Sequence, residues 1–330
     1  MTDAGADWRP TATRERLRLR ATLLERTRAF FAARQVMEVD TPMLVNAAVT
    51  DVHIHSVAVN LSGAVGVPGA AAPDLYLHTS PEYAMKRLLA AGSGDIYQIC
   101  HVARGFEQGR THNTEFTLVE WYRLGFELPR LMDEVEALVR ELCAQHPALL
   151  GPGERLTYRE AFCRHTGVDP LAATLAQLQG LVEPLGYRDP ATRDELLDLI
   201  MGALVGPRLG HEALTFVHGY PASQAALARL DPADPRVARR FELYLGGLEL
   251  ANGFHELASA AEQRARFAAD LRLRERSGLP VHHMDERLLA ALEHGLPECA
   301  GVALGFDRVV MLAAGATHIR EVLAFATETA

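Results

Sequence analysis

The sequence predicts an α+β fold, and three observations carry that expectation. Residues 115–123 alternate in the way of an extended strand, residues 13–34 and 128–145 repeat with a helical period, and residues 240–256 form two strands around Gly246-Gly247, a two-residue hairpin signal. At 330 residues the chain can bury a sizeable core, in one large domain or two average ones.

Each element has its own reason. The helix over 13–34 places Leu17, Ala21, Leu24 and Phe31 near one face, and the basic run Arg14–Arg20 reads as its solvated side. Pro81 opens a second helix, Glu82–Ala91, which Gly92 closes. A short apolar strand, Asp95–His101, delivers the chain into a polar loop carrying Arg104 and Arg110. On the strand that follows, Phe116, Leu118, Glu120 and Tyr122 share one face, because side chains alternate along an extended chain. A flat aromatic, a carboxylate and a phenol on one face, fed by an arginine loop, suit an anionic nucleotide beside an ammonium-bearing substrate. Residues 155–235 differ in kind, with several short helices and many Pro and Gly breaks. After the hairpin, Ser259–Ser277 and His283–His294 read as helices, and Gly301–Met311 as a Gly-rich strand turning into an apolar helix. There are no repeats, low-complexity segments or long flexible linkers.

Hydrophobic residues make up 48% of the chain and charged residues 23%, the balance of an ordinary soluble protein. No run resembles a signal peptide or reaches the roughly 18 apolar residues of a membrane span, so a cytoplasmic protein is expected. The net charge of −9 argues against extended nucleic-acid binding, which needs clustered Lys and Arg. Cys100, Cys143, Cys163 and Cys299 lie far apart and suggest neither a zinc knuckle nor a disulfide framework. The close histidine pairs, His53-x-His55 and His282-His283, lack the helical i, i+4 spacing of a zinc site and read as loop or surface residues.

Across the Gly246-Gly247 turn, Leu245 is expected to face Leu248 and Tyr244 to face Glu249. Glu242 and Glu249 are then diagonal neighbours on one sheet face, about 7–8 Å apart at the backbone. Such a pair is either a divalent-cation site or two solvated strand carboxylates.

Residues 101–123 resemble the second signature of class II aminoacyl-tRNA synthetases in its lysine-specific form. Gly301-Val-Ala-Leu-Gly-Phe-Asp307-Arg308 resembles the third signature, and Val36-Met-Glu-Val-Asp-Thr-Pro42-Met-Leu44 resembles the first, a dimerisation element. Thr79-Ser-Pro-Glu-Tyr83, Pro221-Ala-Ser-Gln-Ala225 and Ala251-Asn-Gly-Phe-His-Glu-Leu257 complete a pattern similar to the elongation factor P–lysine ligases, truncated paralogues of lysyl-tRNA synthetases. The resemblance covers nearly the whole chain. It implies one catalytic domain over 1–330, an antiparallel sheet flanked by helices, with a mainly helical insertion at about 155–235. The first signature starts within about 36 residues of Met1, so no N-terminal anticodon-binding domain is expected.

The resemblance also assigns roles by position. ATP would meet Arg104, Gly105, Phe106, Glu107, Asn113, Phe116, Glu249, Leu250, Gly305 and Arg308, with Arg104 and Arg308 as the catalytic cations that neutralise phosphate. Lysine would meet Ser80, Pro81, Glu82, Glu120, Tyr122, Asn252, Phe254, Glu256 and Ala303. Glu82, Glu120 and Glu256 form an anionic set suited to two ammonium groups, and Glu82 also serves as a favourable first-turn charge. Magnesium would sit at Glu242 and Glu249. Strict alternation puts Glu249 on the opposite face from Asn252, Phe254 and Glu256, so a bulge near Asn252-Gly253 is expected.

The family implied by the resemblance forms a lysyl or (R)-β-lysyl adenylate and passes it to a lysine ε-amino group of elongation factor P, acts as a homodimer and charges no tRNA. In this chain Arg104-Gly105-Phe106-Glu107 replaces Arg-Asn-Glu-Glu, and Ala103 replaces the preceding Phe. Either Glu107 takes the adenine contact after a small shift, or stacking on Phe116 holds the base. The altered loop leaves two other readings open, a non-catalytic lysine-binding paralogue and an adenylate-forming ligase with another acceptor.

Overall fold

The computed structural model describes residues 8–60, 75–188 and 192–330. Residues 1–7, part of the N-terminus read above as lacking a signal peptide, and 189–191 of the 155–235 segment lie outside the described residues. Along the chain the helices are α1 (Arg14–Ala32), α2 (Glu82–Ala90), α3 (Leu128–Leu142), α4 (Tyr158–Thr166), α5 (Leu175–Val182), α6 (Arg193–Ile200), α7 (Ala260–Arg276), α8 (Glu286–Gly295) and α9 (Phe306–Ala313). The strands are β1 (Met37–Glu38), β2 (Leu44–Val45), β3 (Val57–Val59), β4 (Leu75–Leu77), β5 (Ile96–Ala103), β6 (Glu115–Leu124), β7 (Glu154–Thr157), β8 (Thr215–Pro221), β9 (Val237–Leu245), β10 (Leu248–His255) and β11 (Cys299–Gly305). The α+β class expected from the sequence is the one observed.

The chain divides into two compact units, Met1–Leu124 with Ala258–Glu298 and Gly305–Ala330, and Gly125–Leu257 with Cys299–Leu304. In the first, β5 and β6 pair antiparallel from Ile96↔Tyr122 to Ala103↔Glu115, and β1 adds to β5 in parallel. A separate three-stranded sheet runs β2-β4-β3. Helix α1 starts where the Thr13 hydroxyl accepts the Arg16 N–H. It buries Leu23, Thr27, Phe30 and Phe31; of the expected face Phe31 is buried, Leu17 and Leu24 are half-buried and Ala21 is exposed. Phe31 stacks on Tyr97 at 4.3 Å and meets the edge of Trp121 at 5.2 Å. Contacts of this kind add about 0.5–1.5 kcal/mol each beyond area burial. The register moves because the inward stripe includes Arg20, whose guanidinium reaches a buried carboxylate, so Arg20 is no part of a solvated side.

In the second unit the strand order is β11-β10-β9-β8-β7, antiparallel except for the parallel β7–β8 pair. Segment 155–235 supplies α4, α5 and α6, each opened by a threonine capping box at Thr157, Thr174 or Thr192, which satisfies otherwise orphaned N–H groups. It also supplies β8 to the sheet, and its core gathers Tyr158, Phe162, Ile200, Tyr220 and Tyr244. Gly246 and Gly247 both have positive φ, +60° and +76°, as a tight hairpin turn requires. Among the described residues no helix is long and apolar enough to cross a membrane. All four cysteines are thiols rather than disulfides, and burial pushes Cys100 and Cys143 up to about 12.

One half-buried acid sets a pH dependence. Asp270 of α7 accepts a hydrogen bond from the Thr50 hydroxyl at 2.8 Å, but burial raises its pKa to about 6. Its folded value lies above the unfolded one, so its favourable contribution is complete below about pH 4 and is lost as pH rises through 6. Asp270→Asn is therefore expected to stabilise the fold by about 1–2 kcal/mol at pH 7 and by little at pH 4, read from urea unfolding at both pH values.

Candidate active site

The arginine loop lies in the first unit. Arg104 leaves β5 with its backbone N–H on the Thr114 carbonyl, 2.9 Å, and its Nε donates to the Thr79 carbonyl at 3.3 Å. Its guanidinium lies 5.1 Å from the Phe116 ring and 4.0 Å from Glu107. Glu107 is thus within reach of the arginine it follows. Gly105 donates its N–H to the His55 carbonyl at 2.8 Å, and Phe106 sets its ring edge-on to His55. Phe106 adopts φ +64° and is 90% exposed, a combination that costs a bulky side chain about 1 kcal/mol and buries nothing. Asn113 spends its amide on the backbone, donating to the Glu115 carbonyl at 2.6 Å and accepting the Thr327 N–H at 3.2 Å.

Arg308 follows Gly305 at the start of α9. It donates through Nε to the Thr111 carbonyl at 3.3 Å and meets His112 Nε2 at 2.6 Å. Burial first, then the Arg308 charge, lowers the His112 pKa, so the imidazole is the neutral acceptor of that contact. The preceding residue anchors the helix. Asp307, 2% exposed, accepts the Thr117 N–H of β6 at 2.7 Å and pairs with Arg20 of α1, which also donates to the Thr117 hydroxyl at 2.7 Å.

The ammonium-binding candidates of this unit start at Ser80, the residue after the Thr79 that holds Arg104. Glu120 is 2% exposed, and each of its oxygens takes one hydroxyl, Ser80 at 2.7 Å and Tyr122 at 2.8 Å. The Ser80 oxygen in turn accepts the Glu82 N–H at 3.0 Å, where buried Pro81 leads into α2. Glu82 is held at 2.7 Å by Lys86, one helical turn on and 1% exposed. Lys86 is absent from the sequence-based set, although the i, i+4 Glu–Lys spacing announces it. Arg104 and Glu120 are thereby pinned to adjacent residues, one at the Thr79 carbonyl and the other at the Ser80 hydroxyl.

In the second unit Leu245 faces Leu248 and Tyr244 faces Glu249, as expected. The expected bulge near Asn252-Gly253 is corrected: the register shifts between Glu249 and Ala251, at buried Leu250. The shift still puts Glu249 on the face of Asn252 and Phe254, since Tyr244, Glu242 and Arg240 are their cross-strand partners and share one face of β9. Gly253 answers a different need. A Cβ there would lie 2.4 Å from the Phe241 ring and 3.1 Å from the Gly301 carbonyl. Ala303 of β11 pairs with Asn252, and Glu256 is buried, its N–H on the Cys299 carbonyl at 3.1 Å.

Glu242 accepts the Tyr244 hydroxyl at 2.6 Å and pairs with Arg240, which sequence reasoning missed. Burial works against the Arg240 charge, but Glu242, Tyr220 and Glu249 outweigh it and raise its pKa. Two carboxylates are hard oxygen donors that fit magnesium held jointly with phosphates. Among the described residues no group of three or more His, Cys, Asp or Glu gathers.

A guanidinium loop running into a strand that carries a hydroxyl-clamped carboxylate, with Asp-Arg opening a helix, is the arrangement of a class II synthetase core. Residues 2–329 match the model of the class II tRNA synthetases (D, K and N). The chain is 51% identical to the elongation factor P–(R)-β-lysine ligase of Vibrio cholerae, over 97% of this chain and 98% of that protein. It is 49% identical to the ligase of the same name from Edwardsiella ictaluri, over 98% and 99%. The chain belongs to the class II tRNA synthetase family and, within it, to the group of these ligases.

The Asp307 anchor is open to a double-mutant test. Arg20→Met leaves a buried carboxylate without its cation and is expected to cost about 2–3 kcal/mol. Asp307→Asn should cost a similar amount, and the double variant less than the sum by about 1–2 kcal/mol. Urea unfolding of the four proteins measures the coupling, and strict additivity would rule the anchor out.

Proposed function

We propose that this ligase activates lysine or (R)-β-lysine with ATP and transfers the acyl group to a lysine ε-amine of elongation factor P. The observation that carries the reading is the adjacency of Arg104, bound at Thr79, and Glu120, bound at Ser80. A fixed guanidinium and a buried carboxylate, anchored on consecutive residues, match an amino acid whose carboxylate must meet ATP while its ammonium stays anchored. The names of the two relatives, elongation factor P–(R)-β-lysine ligases, support the choice of amino acid and acceptor.

The chemistry follows from charge. The substrate carboxylate attacks the α-phosphorus of ATP, its bond to pyrophosphate breaks, and an acyl adenylate forms. Two anions must approach, and Arg104 and Arg308 remain charged throughout and neutralise the phosphate oxygens. His112, neutral, steadies Arg308 without adding a competing charge. Glu82, Glu120 and Glu256 receive the ammonium groups, with Lys86 balancing one of the three carboxylates. Magnesium, when bound, supplies further phosphate neutralisation, and Glu242 and Glu249 are the residues that would hold it. The acceptor amine then attacks the acyl carbon, AMP leaves, and an amide remains. Phe116 offers the flat face for adenine, and the exposed Phe106 leaves Glu107 as the carboxylate of the loop. We further propose a homodimer built on the Pro42 element, where Met37, Met43 and Leu44 are exposed, with no charging of tRNA and a cytoplasmic location.

Amino-acid-dependent ATP–pyrophosphate exchange tests the reading. Exchange is expected with both lysine isomers and stronger with (R)-β-lysine; none with any amino acid, in folded protein, would favour a lysine-binding paralogue. Arg308→Ala should abolish exchange with the melting transition retained. Glu256→Gln should raise the KM for lysine about tenfold or more and leave that for ATP within about twofold, since a lost charge-assisted contact is worth roughly 1.5–3 kcal/mol.

A further inference from the structure

Arg240 is a guanidinium held from four sides. Its Nη2 reaches Glu242 Oε1, Nη1 donates to the Gln224 carbonyl at 2.8 Å, and Nε donates to Asn252 Oδ1 at 3.2 Å. The Tyr220 ring closes the remaining face, 4.3 Å from ring centre to guanidinium carbon. Such a fork cannot swing away as a lysine could, because three separate donors would lose their acceptors together. The Tyr244 hydroxyl fixes the other oxygen of Glu242 at 2.6 Å. Each carboxylate oxygen keeps a second lone pair, so the clamped group can still ligate a hard cation.

Charge decides when it does. Glu242 and Glu249 offer two negative charges, and Arg240 cancels one of them before any ion arrives. A divalent cation approaching alone meets a carboxylate already paired and a fixed guanidinium beside its first ligand, a repulsion that falls off slowly in a half-buried site. Asp198 also acts on Arg240, through Gln224, but among the described residues no group of three or more His, Cys, Asp or Glu is placed to hold the ion together. A triphosphate brings the missing negative charge.

We propose that Arg240 makes the divalent-cation site nucleotide-dependent, positioning Glu242 while excluding a cation that arrives without phosphates. The proposal rests on the reading of Glu242 and Glu249 as the metal carboxylates. Arg240 acts through Glu242 and Asn252 and is a positioning residue. A cation bound ahead of ATP would keep waters at the positions that the phosphates have to take.

The test is Mn2+ titration of the full chain followed by electron paramagnetic resonance, alone and with a non-hydrolysable ATP analogue. Wild-type protein is expected to bind Mn2+ at least about tenfold more weakly without the nucleotide. Arg240→Gln should strengthen nucleotide-free binding by about tenfold, and adding Glu242→Gln should reverse the gain. Arg240→Lys keeps the charge and should keep the weak binding. Tight nucleotide-free binding by the wild type overturns the proposal without any variant. So does a folded Arg240→Gln protein whose nucleotide-free affinity is unchanged. If Glu242→Gln leaves Mn2+ binding in the nucleotide complex intact, the metal assignment itself falls, a separate outcome because it is read with nucleotide present.

Discussion

The Asp307 carboxylate is the constraint on which the first unit depends. It takes the Thr117 N–H from β6 and the guanidinium of Arg20 from α1, while opening α9 itself. A carboxylate that is 2% exposed loses several kcal/mol of hydration, and only excellent geometry with further hydrogen bonds offsets that. Both are present here, since Arg20 also donates to the Thr117 hydroxyl. The next residue is Arg308, so the orientation of this guanidinium is set by three elements meeting at its neighbour. Its own contacts, to Thr111 and His112, only complete what the anchor begins.

Polar groups in both units share a pattern: the carboxylates proposed for a ligand are held by neutral groups or by a compensating charge. Glu120 has two hydroxyls, Glu82 has Lys86, Glu242 has a hydroxyl and a guanidinium. Hydroxyl clamps leave a carboxylate's charge intact while fixing its rotamer, which prepares it for an ammonium. A cationic clamp fixes the rotamer and lowers the net charge. Glu120 is held in the first way and Glu242 partly in the second, while Glu82, clamped by Lys86, keeps less net charge for an ammonium than Glu120 does.

Much of this was legible in the sequence because it is local. The Gly246-Gly247 turn dictates the pairing of Tyr244 with Glu249, and alternation, set against the site residues that the resemblance assigns, demands an irregularity near Asn252. Its location was not legible. Glycine attracted the bulge to residue 253, yet that glycine exists to admit the Phe241 ring, and the extra residue is Leu250, which carries no compositional mark. Arg20 lies 287 residues from Asp307, so a helical-face argument had no means to detect its partner. Lys86 was readable from its spacing, whereas Arg240 shows its purpose only once β9 and β10 are in register.

The short path through Thr79 and Ser80 has a thermodynamic meaning. Arg104 hangs on the carbonyl of one residue and Glu120 on the hydroxyl of the next, so whatever draws the guanidinium toward phosphate also tugs the peptide that orients the carboxylate. Two ligands that share a peptide unit are linked, and linkage is reciprocal: the factor by which amino acid tightens nucleotide equals the factor by which nucleotide tightens amino acid. Affinities measured one ligand at a time would then describe half-assembled states, and the working enzyme would be characterised by a single mutual factor rather than by two independent constants.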